Sequence, residues 1–255
     1  MTTLRLLSYN IRHGGVGRVE AIAAVIRGCA PDVVVLQEAT RPDVVRALAG
    51  ETGLPQHGSH RGQSLGFLSR IGIAKSVWRR PLLSRHAFLD LTLDGHDLHI
   101  VGVHLSAVHA AWTERRRLIE LASLLRTVKA RQHGFHVLAG DFNTLAPGET
   151  LDVQRLPARL RPLVWLSGGS IRWKTIAAVL AAGYADVWRG LHPEGEGATF
   201  PTWGRHLRLD YVFAPMAAAT RVVRCEVVTV PDTIHASDHH PLVAEIDLTP
   251  AGAPA

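Results

Sequence analysis

Short apolar runs recur along the chain, with turns or helical patterns between them. Each run is five to nine residues long and is typical of a buried strand. The sequence predicts strands at residues 4–9 (LRLLSY), 32–37 (DVVVLQ), 65–69 (LGFLS), 87–93 (AFLDLTL), 98–104 (LHIVGVH), 135–140 (FHVLAG), 209–213 (LDYVF), 222–230 (VVRCEVVTV) and 242–248 (LVAEIDL). The Asp-Gly pair in residues 93–97 (LDGHD) predicts a hairpin turn.

Other segments repeat apolar residues every three or four positions, which predicts helices. The helical face of residues 18–29 carries Val19, Ile22 and Ile26, and that of residues 112–130 carries Leu118, Leu121, Leu125 and Val128. A third helix is predicted over residues 171–184, stopped by Gly183. Hairpin-paired strands mixed with helices indicate an α+β fold built on two sheets. We expect one domain over residues 1–248, a long loop at 145–170 and a disordered tail at 249–255.

The composition favours a globular protein over a disordered or membrane-spanning one. The chain has 255 residues, 47% of them hydrophobic, which is typical of a globular protein. We expect a cytoplasmic protein, because no run reaches the roughly 18 uncharged apolar residues of a membrane helix and the first residues lack a secretory pattern. We also expect a monomer. Cys29 and Cys225 are interpreted as buried free thiols. The net charge of +6 favours anionic partners, although clusters such as Arg115–Arg117 can also be solvated helix faces.

Polar residues recur where the predicted strands end or begin. They are Asn10, Glu38, His104, Asp141, Asn143, Asp210, Asp238 and His239. Each has an ordinary alternative: Asn10 can cap a turn, Glu38 can be a solvated acid before a helix, and His104 can be a core histidine. Asp141 and Asn143 can form an Asx turn. Their joint occurrence on unrelated strands favours one site assembled from strand ends.

The residue types fit phosphoester hydrolysis with a divalent cation. Carboxylate and amide oxygens suit Mg²⁺, with Mn²⁺ as a substitute, better than zinc. The candidate metal ligands are Asn10, Glu38, Asp141, Asn143 and Asp238. Asp238 and His239, with Asp210 elsewhere, supply the parts of an oriented imidazole base. A cation, an activated water and amide donors around a phosphate would complete such a site.

The motifs also match a known family. SYNIR, LQE, VHLS, GDFNT, RLDYVF and SDHHPL appear in the order expected of the endonuclease/exonuclease/phosphatase superfamily, over about residues 4–248. The chain resembles this superfamily of DNase I-like nucleases, abasic-site endonucleases, inositol polyphosphate 5-phosphatases and neutral sphingomyelinases. The resemblance implies a four-layer αββα sandwich of two packed, mainly antiparallel sheets, with the site at one edge.

The resemblance also implies roles for matching positions. Glu38 is similar to the principal metal ligand, helped by Asn10 and Asp238. His239, paired with Asp210, is similar to the general base. Three further residues are similar to groups around the reacting phosphate: Asp141 would orient or deprotonate the water, Asn143 would hold a phosphate oxygen or the nucleophile, and His104 would contact the scissile phosphate. Arg12 and Arg208 are lesser candidates, either for phosphate contact or for orienting neighbouring groups.

His104 argues against the abasic-site endonuclease branch of the superfamily, because those enzymes carry Tyr at the matching place. Phe200 and Trp203 could stack on a base, line a lipid path or simply pack. The basic charge favours a nuclease-like phosphodiesterase and a nucleic-acid partner over phospholipid or inositol phosphate, without stable membrane insertion.

Rival interpretations come from other classes of protein. A zinc site of His235, His239 and His240 would have to converge from one short loop. No G-x-S-x-G elbow or P-loop is present. A non-catalytic binding module would retain buried acids at a cost in stability. The sequence leaves the substrate and the mode of cleavage open.

Overall fold

The computed structural model describes residues 3–82, 84–107, 110–129, 135–156, 158, 161–166, 173–230 and 232–249. Its strands are Thr3–Asn10 (β1), Val33–Gln37 (β2), Gln56–Ser59 (β3), Gly66–Ser69 (β4), Ile73–Arg79 (β5), Phe88–Leu93 (β6), Leu98–His104 (β7), Phe135–Asp141 (β8), Tyr184–Asp186 (β9), Asp210–Pro215 (β10), Val222–Val227 (β11) and Leu242–Asp247 (β12). Its α-helices are Val19–Cys29 (α1), Pro42–Thr52 (α2), Ala111–Lys129 (α3), Arg161–Leu166 (α4), Thr175–Ala181 (α5), Val187–Leu191 (α6) and Thr233–Ala236 (α7).

The strands form two six-stranded sheets. The first has the order β11-β12-β1-β2-β4-β3 and the second the order β5-β6-β7-β8-β10-β9. Only β1 with β2 and β7 with β8 pair in parallel among the described strands, and the other pairs are antiparallel. The predicted pair of mainly antiparallel sheets is therefore confirmed.

Alternating strand residues build separate cores, which gives four layers. Leu6 and Val35 of the first sheet pack against Ile100 and Ala139 of the second, forming the core between the sheets. On the outer face of the first sheet, residues such as Tyr9 pack against α1 and α2. On the outer face of the second sheet, apolar residues pack against α3 and α5. Because both faces are covered, the central strands are continuous apolar runs, as the sequence pattern indicated.

The strands that the pattern did not predict all lie at sheet edges. β3 ends the first sheet, while β5 and β9 end the second. β3 and β5 have mostly exposed or half-buried residues, so their sequences lack a continuous apolar run. α4 lies inside the predicted loop at 145–170, and the predicted helix at 171–184 spans only Thr175–Ala181 among described residues. Residues 250–255 of the predicted tail lie outside the described residues.

The buried face of α3 differs from the prediction. Leu121 and Val128 are buried, but Leu118 and Leu125 are only half-buried. The rest of the buried face is largely charged, consisting of Glu114, Arg117 and Glu120 with Leu124. An apolar pattern cannot reveal such a face, because these charged groups are buried through mutual pairing and hydrogen bonds. Arg117 is fully buried, so the interpretation of Arg115–Arg117 as a solvated face was wrong for that residue.

Candidate active site

Strand alternation directs several polar side chains into the space between the sheets. On β1, Leu6 faces the opposite sheet, and Asn10 lies on the same side because four residues separate them. On β8, Ala139 is followed by Asp141 on the same side. The same alternation relates His104 to Ile100 on β7 and Asp210 to Val212 on β10. The apolar core therefore continues directly into a polar cluster.

Strand pairing brings these side chains to one edge. Asn10 lies opposite Gln37 in the parallel pair β1–β2, and His104 lies opposite Asp141 in the parallel pair β7–β8. Asp210 opens β10 directly opposite Asp141, because β8 and β10 are antiparallel. The segment before β12 joins the same edge, since β12 begins beside the end of β1. Sites at strand ends of this kind are common in layered folds.

Each of the four residues of the segment GDFN has its own structural role. A Cβ at Gly140 would lie 1.9 Å from the Val103 carbonyl oxygen, so this close approach of β7 requires glycine. Asp141 turns toward the cleft, and Phe142 turns to the outer core, where its ring contacts Tyr211. Asn143 has φ +54°, and its backbone N–H donates to Asp141 Oδ1 at 2.8 Å. The Asx turn and the candidate site are therefore the same structure.

Asn10 connects the acidic residues of the two sheets. Its Nδ2 donates to Asp141 Oδ2 at 3.0 Å and lies 3.5 Å from Glu38 Oε1. Its Oδ1 accepts from the Arg12 backbone N–H at 2.9 Å, which sets the orientation of the amide. Asp141 is buried, whereas the Glu38 side chain is 30% exposed. The two carboxylates therefore face one amide group from opposite sheets.

Backbone strain is concentrated around these groups. Among the described residues, five non-glycine residues have positive φ, and four of them lie here: Arg12, His13, Glu38 and Asn143. Asn tolerates this conformation, but at the other positions it costs on the order of 1–3 kcal/mol each. The His13 N–H donates to Glu38 Oε2 at 2.5 Å, which ties two strained segments together. Such strain is typical of functional sites.

Asp210 and His239 form a buried pair. His239 Nδ1 lies 2.8 Å from Asp210 Oδ2, so the carboxylate orients the ring. Nε2 of the same ring is directed at Asp141, 3.8 Å from Oδ2. The Thr199 hydroxyl accepts from the Asp210 backbone N–H at 3.4 Å, which supports the start of β10. The predicted partner of His239 is thus in place.

The charges within this cluster shift its pKa values. Burial raises the pKa of Asp141 to about 7, an effect that the positive charge of His239 opposes and the negative charge of Asp210 reinforces. Burial lowers the pKa of His239, but the negative charges of Asp210 and Asp141 outweigh it and raise the pKa to about 10. The two carboxylates therefore favour the imidazolium form of His239, while burial favours the protonated form of Asp141.

His104 occupies the opposite side of Asp141. Its Nε2 lies 3.8 Å from Asp141 Oδ2, and its Nδ1 is hydrogen-bonded to the Ser64 hydroxyl. The ring of His86 stacks on it, with centroids 4.6 Å apart and planes at 4°. Burial, followed by the charges of His86, His239 and Arg85, holds the pKa of His104 well below its usual range. His104 is therefore a neutral imidazole.

The remaining predicted site residues occupy supporting positions. Asn143 Nδ2 donates to the Leu105 carbonyl at 3.1 Å, joining the segments after β7 and β8. Asp238 Oδ2 lies 3.4 Å from Arg12 Nε, so Arg12 is at the cleft but pairs with an acid. The Ser237 hydroxyl donates to the Asn10 carbonyl at 2.6 Å and anchors the loop before β12 to the end of β1.

Arg208 does not face the cleft. It is buried, and its guanidinium lies 2.7 Å from both Glu149 and Asp186 and 4.4 Å from the centroid of the Tyr211 ring. Of the two roles that the resemblance implied for Arg208, these contacts fit the orienting of neighbours and not a phosphate contact. Phe200 does approach the site, since its ring centroid lies 5.0 Å from that of His239.

Three residues near the site were not predicted from the sequence: Ser64, His86 and Thr199. None of them belongs to a motif that was assigned a role, and each reaches the site from a loop. Ser64 lies in RGQSLGFLSR, a stretch that matches the superfamily only loosely. The signal for His86 is a tertiary contact with His104, which no spacing along the chain reveals.

The donor set fits a hard divalent cation. Asp141, Asp210 and His239 have ligand atoms within 4.8 Å of one another, but Asp210 Oδ2 is hydrogen-bonded to His239 Nδ1, so Asp210 has only its buried, unpartnered Oδ1 for a cation. Glu38 and Asp141 instead direct oxygens toward one neutral amide, and the raised pKa of Asp141 reports a buried negative charge that is incompletely compensated. Oxygen donors of this kind favour Mg²⁺ or Mn²⁺ over zinc.

The fold is similar to several solved structures. An AP endonuclease from Archaeoglobus fulgidus has a TM-score of 0.73 and 18% identity, over 96% of this chain and 99% of that one. A 3′ phosphatase from Neisseria bound to a product DNA hairpin has a TM-score of 0.70 and 20% identity, over 96% and 99%. TDP2 from D. rerio complexed with a single-strand DNA product has a TM-score of 0.70 and 19% identity, over 97% and 100%. At these identities the likeness establishes the fold.

Among the described residues, no helix has the length and apolar character needed to cross a membrane. No curated protein sequence matches the chain. Residues 7–239 match the sequence profile of the Endonuclease/Exonuclease/phosphatase family, which covers most of the chain. With the αββα fold and the motif residues at one edge of the sheets, this match leads to one conclusion: the chain belongs to the endonuclease/exonuclease/phosphatase family.

Proposed function

We propose that this protein is a divalent-metal-dependent phosphodiesterase that hydrolyses nucleic acid. The main support for this proposal is the position of Asp141 between two imidazoles, with the Asp210–His239 pair on one side and His104 on the other. Beside them, Glu38 and Asn10 complete an oxygen-rich cluster next to the buried carboxylate. An acid, an imidazolium and a neutral imidazole around one cleft are the groups that water attack on a phosphodiester requires.

Glu38, Asp141 and Asn10, with Asp238 nearby, would hold Mg²⁺, or Mn²⁺ as a substitute. When bound, such a cation polarises a phosphoryl oxygen and compensates negative charge. The bound cation would also keep the buried carboxylates ionised, because its positive charge stabilises their charged forms.

The protein groups divide the proton chemistry between them. Asp141, whose carboxylate lies 3.8 Å from the Nε2 atoms of both His104 and His239, orients the attacking water or accepts its proton. His239, held as an imidazolium by Asp210 and Asp141, stabilises the developing phosphate charge or protonates the leaving oxygen. His104 donates a hydrogen bond to a phosphoryl oxygen from its Nε2 side, with Ser64 holding the other nitrogen. The assignment of His239 as the general base, which the resemblance implied, stays a prediction, and the pH dependence of kcat distinguishes it from this division.

Three observations support nucleic acid as the substrate. The net charge is +6, and cations steer polyanions toward a cleft. Trp203 is 60% exposed, and its ring lies 6.4 Å from that of Phe200, which in turn contacts His239. Aromatic side chains at this spacing can stack on unpaired bases. In addition, two structures of similar fold are bound to DNA products, a DNA hairpin in one and single-strand DNA in the other.

A substrate panel tests the proposal. The purified protein is incubated with single- and double-stranded DNA, RNA, inositol phosphates and sphingomyelin vesicles, each with Mg²⁺ and with EDTA. We expect turnover of nucleic acid that EDTA abolishes and that Asp141→Asn reduces by at least about a hundredfold. The matched control is Asp97→Asn, an exposed acid in the hairpin at the opposite end of β7, which should leave the rate unchanged.

The alternatives predict other results. Turnover of sphingomyelin or inositol phosphates with none of DNA or RNA would replace the nuclease assignment by a phospholipid or inositol-phosphate hydrolase. A folded protein that turns over no phosphoester with Mg²⁺, or with Mn²⁺ in its place, would leave a binding module as the better interpretation.

A further inference from the structure

His86 is an additional polar residue beside the cleft. It precedes β6, and its ring lies parallel to that of His104 at a centroid distance of 4.6 Å. His104 is buried, whereas His86 is half-buried, so the stack extends from the cleft toward solvent. A group that reaches past His104 on this side therefore meets His86 next.

The loop that carries His86 is held by a buried carboxylate of α3. Glu120 Oε1 accepts from the Arg85 backbone N–H at 2.9 Å, and Oε2 accepts from the Ser106 backbone N–H at 3.0 Å. The Ser106 hydroxyl donates to the same carboxylate at 2.9 Å. Since Arg85 immediately precedes His86 and Ser106 follows His104 by two residues, Glu120 fixes the two stacked rings relative to each other. The stack is thus a supported arrangement and not a chance contact of a free loop.

Basic groups surround this end of the cleft. The Arg85 side chain is exposed and close enough to both rings for its positive charge to lower their pKa values, after the larger effect of burial. Arg80 lies beside the same loop, because its Nε donates to the Ser84 carbonyl at 3.3 Å and the Ser84 hydroxyl donates to the His86 carbonyl at 2.6 Å. The negative charges that act on His86 are those of Glu120, whose carboxylate accepts from backbone donors, and of Glu38. The opposite side of Asp141, by contrast, carries the Asp210 carboxylate.

We propose that His86, Arg85 and Arg80 form a second phosphate subsite, which binds the phosphate adjacent to the scissile one in a nucleic-acid strand. This inference rests on the proposed function and deepens it. A half-buried imidazole supplies a directed N–H donor, and the guanidinium groups supply charge-assisted hydrogen bonds to phosphate oxygens. The subsite makes the protein selective for oligonucleotides over substrates with a single phosphate.

A chemical substitution in the substrate isolates the second phosphate. The thymidine trimer has two phosphodiester linkages, and each can be replaced in turn by a neutral methylphosphonate, which keeps the nucleoside and removes the charge. The measured quantity is the ratio of kcat/KM for the unmodified trimer to kcat/KM for each methylphosphonate isomer. Because it is taken within one protein, this ratio is insensitive to a general loss of activity in a variant.

Two variants probe the subsite and one serves as control. His86→Phe preserves a ring against His104 while removing the N–H donor, and Arg85→Gln removes one positive charge. The control is Arg224→Gln, which makes the same change in net charge on β11. This strand lies at the edge of the first sheet, whereas the proposed subsite lies beside β6 of the second sheet. We expect a ratio of about ten for one isomer with the wild-type protein and with Arg224→Gln. The ratio should fall toward one in His86→Phe and in Arg85→Gln.

Two results would overturn the subsite. A wild-type ratio near one for both isomers would show that no second phosphate is sensed. A ratio that persists in both subsite variants would show that other residues sense it.

If the wild-type protein cleaves none of the trimers, the proposed function has failed. The subsite can then still be tested by measuring oligonucleotide binding. Fluorescence anisotropy of a labelled thymidine oligonucleotide in EDTA gives Kd as a function of salt. Loss of one phosphate contact lowers the slope of log Kd against log salt by about 0.7 for a single strand. A drop of this size in Arg85→Gln but not in Arg224→Gln supports the subsite, and equal slopes in all three proteins overturn it.

Discussion

The buried ion pair beneath the cleft provides the sharpest test of how the fold supports the site. Arg117 is fully buried on α3, and both its Nε and its Nη2 lie 3.0 Å from Glu114 Oε2. Its Nη1 donates to the Ser106 carbonyl at 2.7 Å. Glu114 also accepts from the Thr144 hydroxyl, which follows Asn143 directly in the chain. The pair therefore braces the segments after β7 and β8 that carry site residues.

Replacing Arg117 by Met leaves the Glu114 charge buried. Losing one partner of a buried ion pair costs about 3–5 kcal/mol. Glu114 keeps donors from Thr144, Lys174 and Thr175, which places this cost near the lower limit of about 3 kcal/mol. The Ser106 carbonyl also loses its donor, which adds about 1 kcal/mol. We therefore expect Arg117→Met to lower the free energy of unfolding by about 4 kcal/mol.

A double-mutant cycle separates the charge from the packing. Glu114→Gln removes the negative charge while keeping an acceptor oxygen, so adding it to Arg117→Met should recover about 2 kcal/mol. Urea denaturation measures each variant. The control is Arg116→Met, whose side chain is 50% exposed and lies 3.7 Å from Glu120, and which should cost less than about 1 kcal/mol. If Arg117→Met costs no more than this control, the argument from burial is wrong.

Three further predictions concern charge, metal and substrate. The raised pKa of His239 favours its protonated form in the folded state, so its contribution is complete below about pH 6.5 and is lost as pH rises through about 10. Unfolding free energies of His239→Gln across this range should lack that decline, and an unchanged decline would contradict the assignment. Glu38→Gln should weaken Mg²⁺ binding at least about tenfold by calorimetry, and equal affinity would remove Glu38 from the metal site. Trp203→Ala should raise KM for single-stranded DNA about tenfold, whereas an unchanged KM would indicate that the ring does not stack on substrate.

The sequence alone predicted the central strands and most of the residues that line the candidate site. Nine apolar runs became strands, and the three strands that the pattern did not predict all lie at sheet edges. The central strands are covered on both faces and therefore leave a continuous apolar run in the sequence. Strand alternation then directed Asn10 and Asp141 to the face between the sheets. These are local properties of the chain, and they survive folding because each strand keeps its period of two.

Only the tertiary structure decided how the residues pair. His239 and Asp210 are 29 positions apart, and Asn10 and Asp141 are 131 apart, so sheet packing alone sets their distances. It also decided that Arg117 is buried against Glu114, that Arg208 binds distant acids, and that His86 stacks on His104. A side chain's charge or polarity is visible in the sequence, but the partner that compensates it is not. Burial of these groups depends on that partner, because an unpaired charge would remain in water.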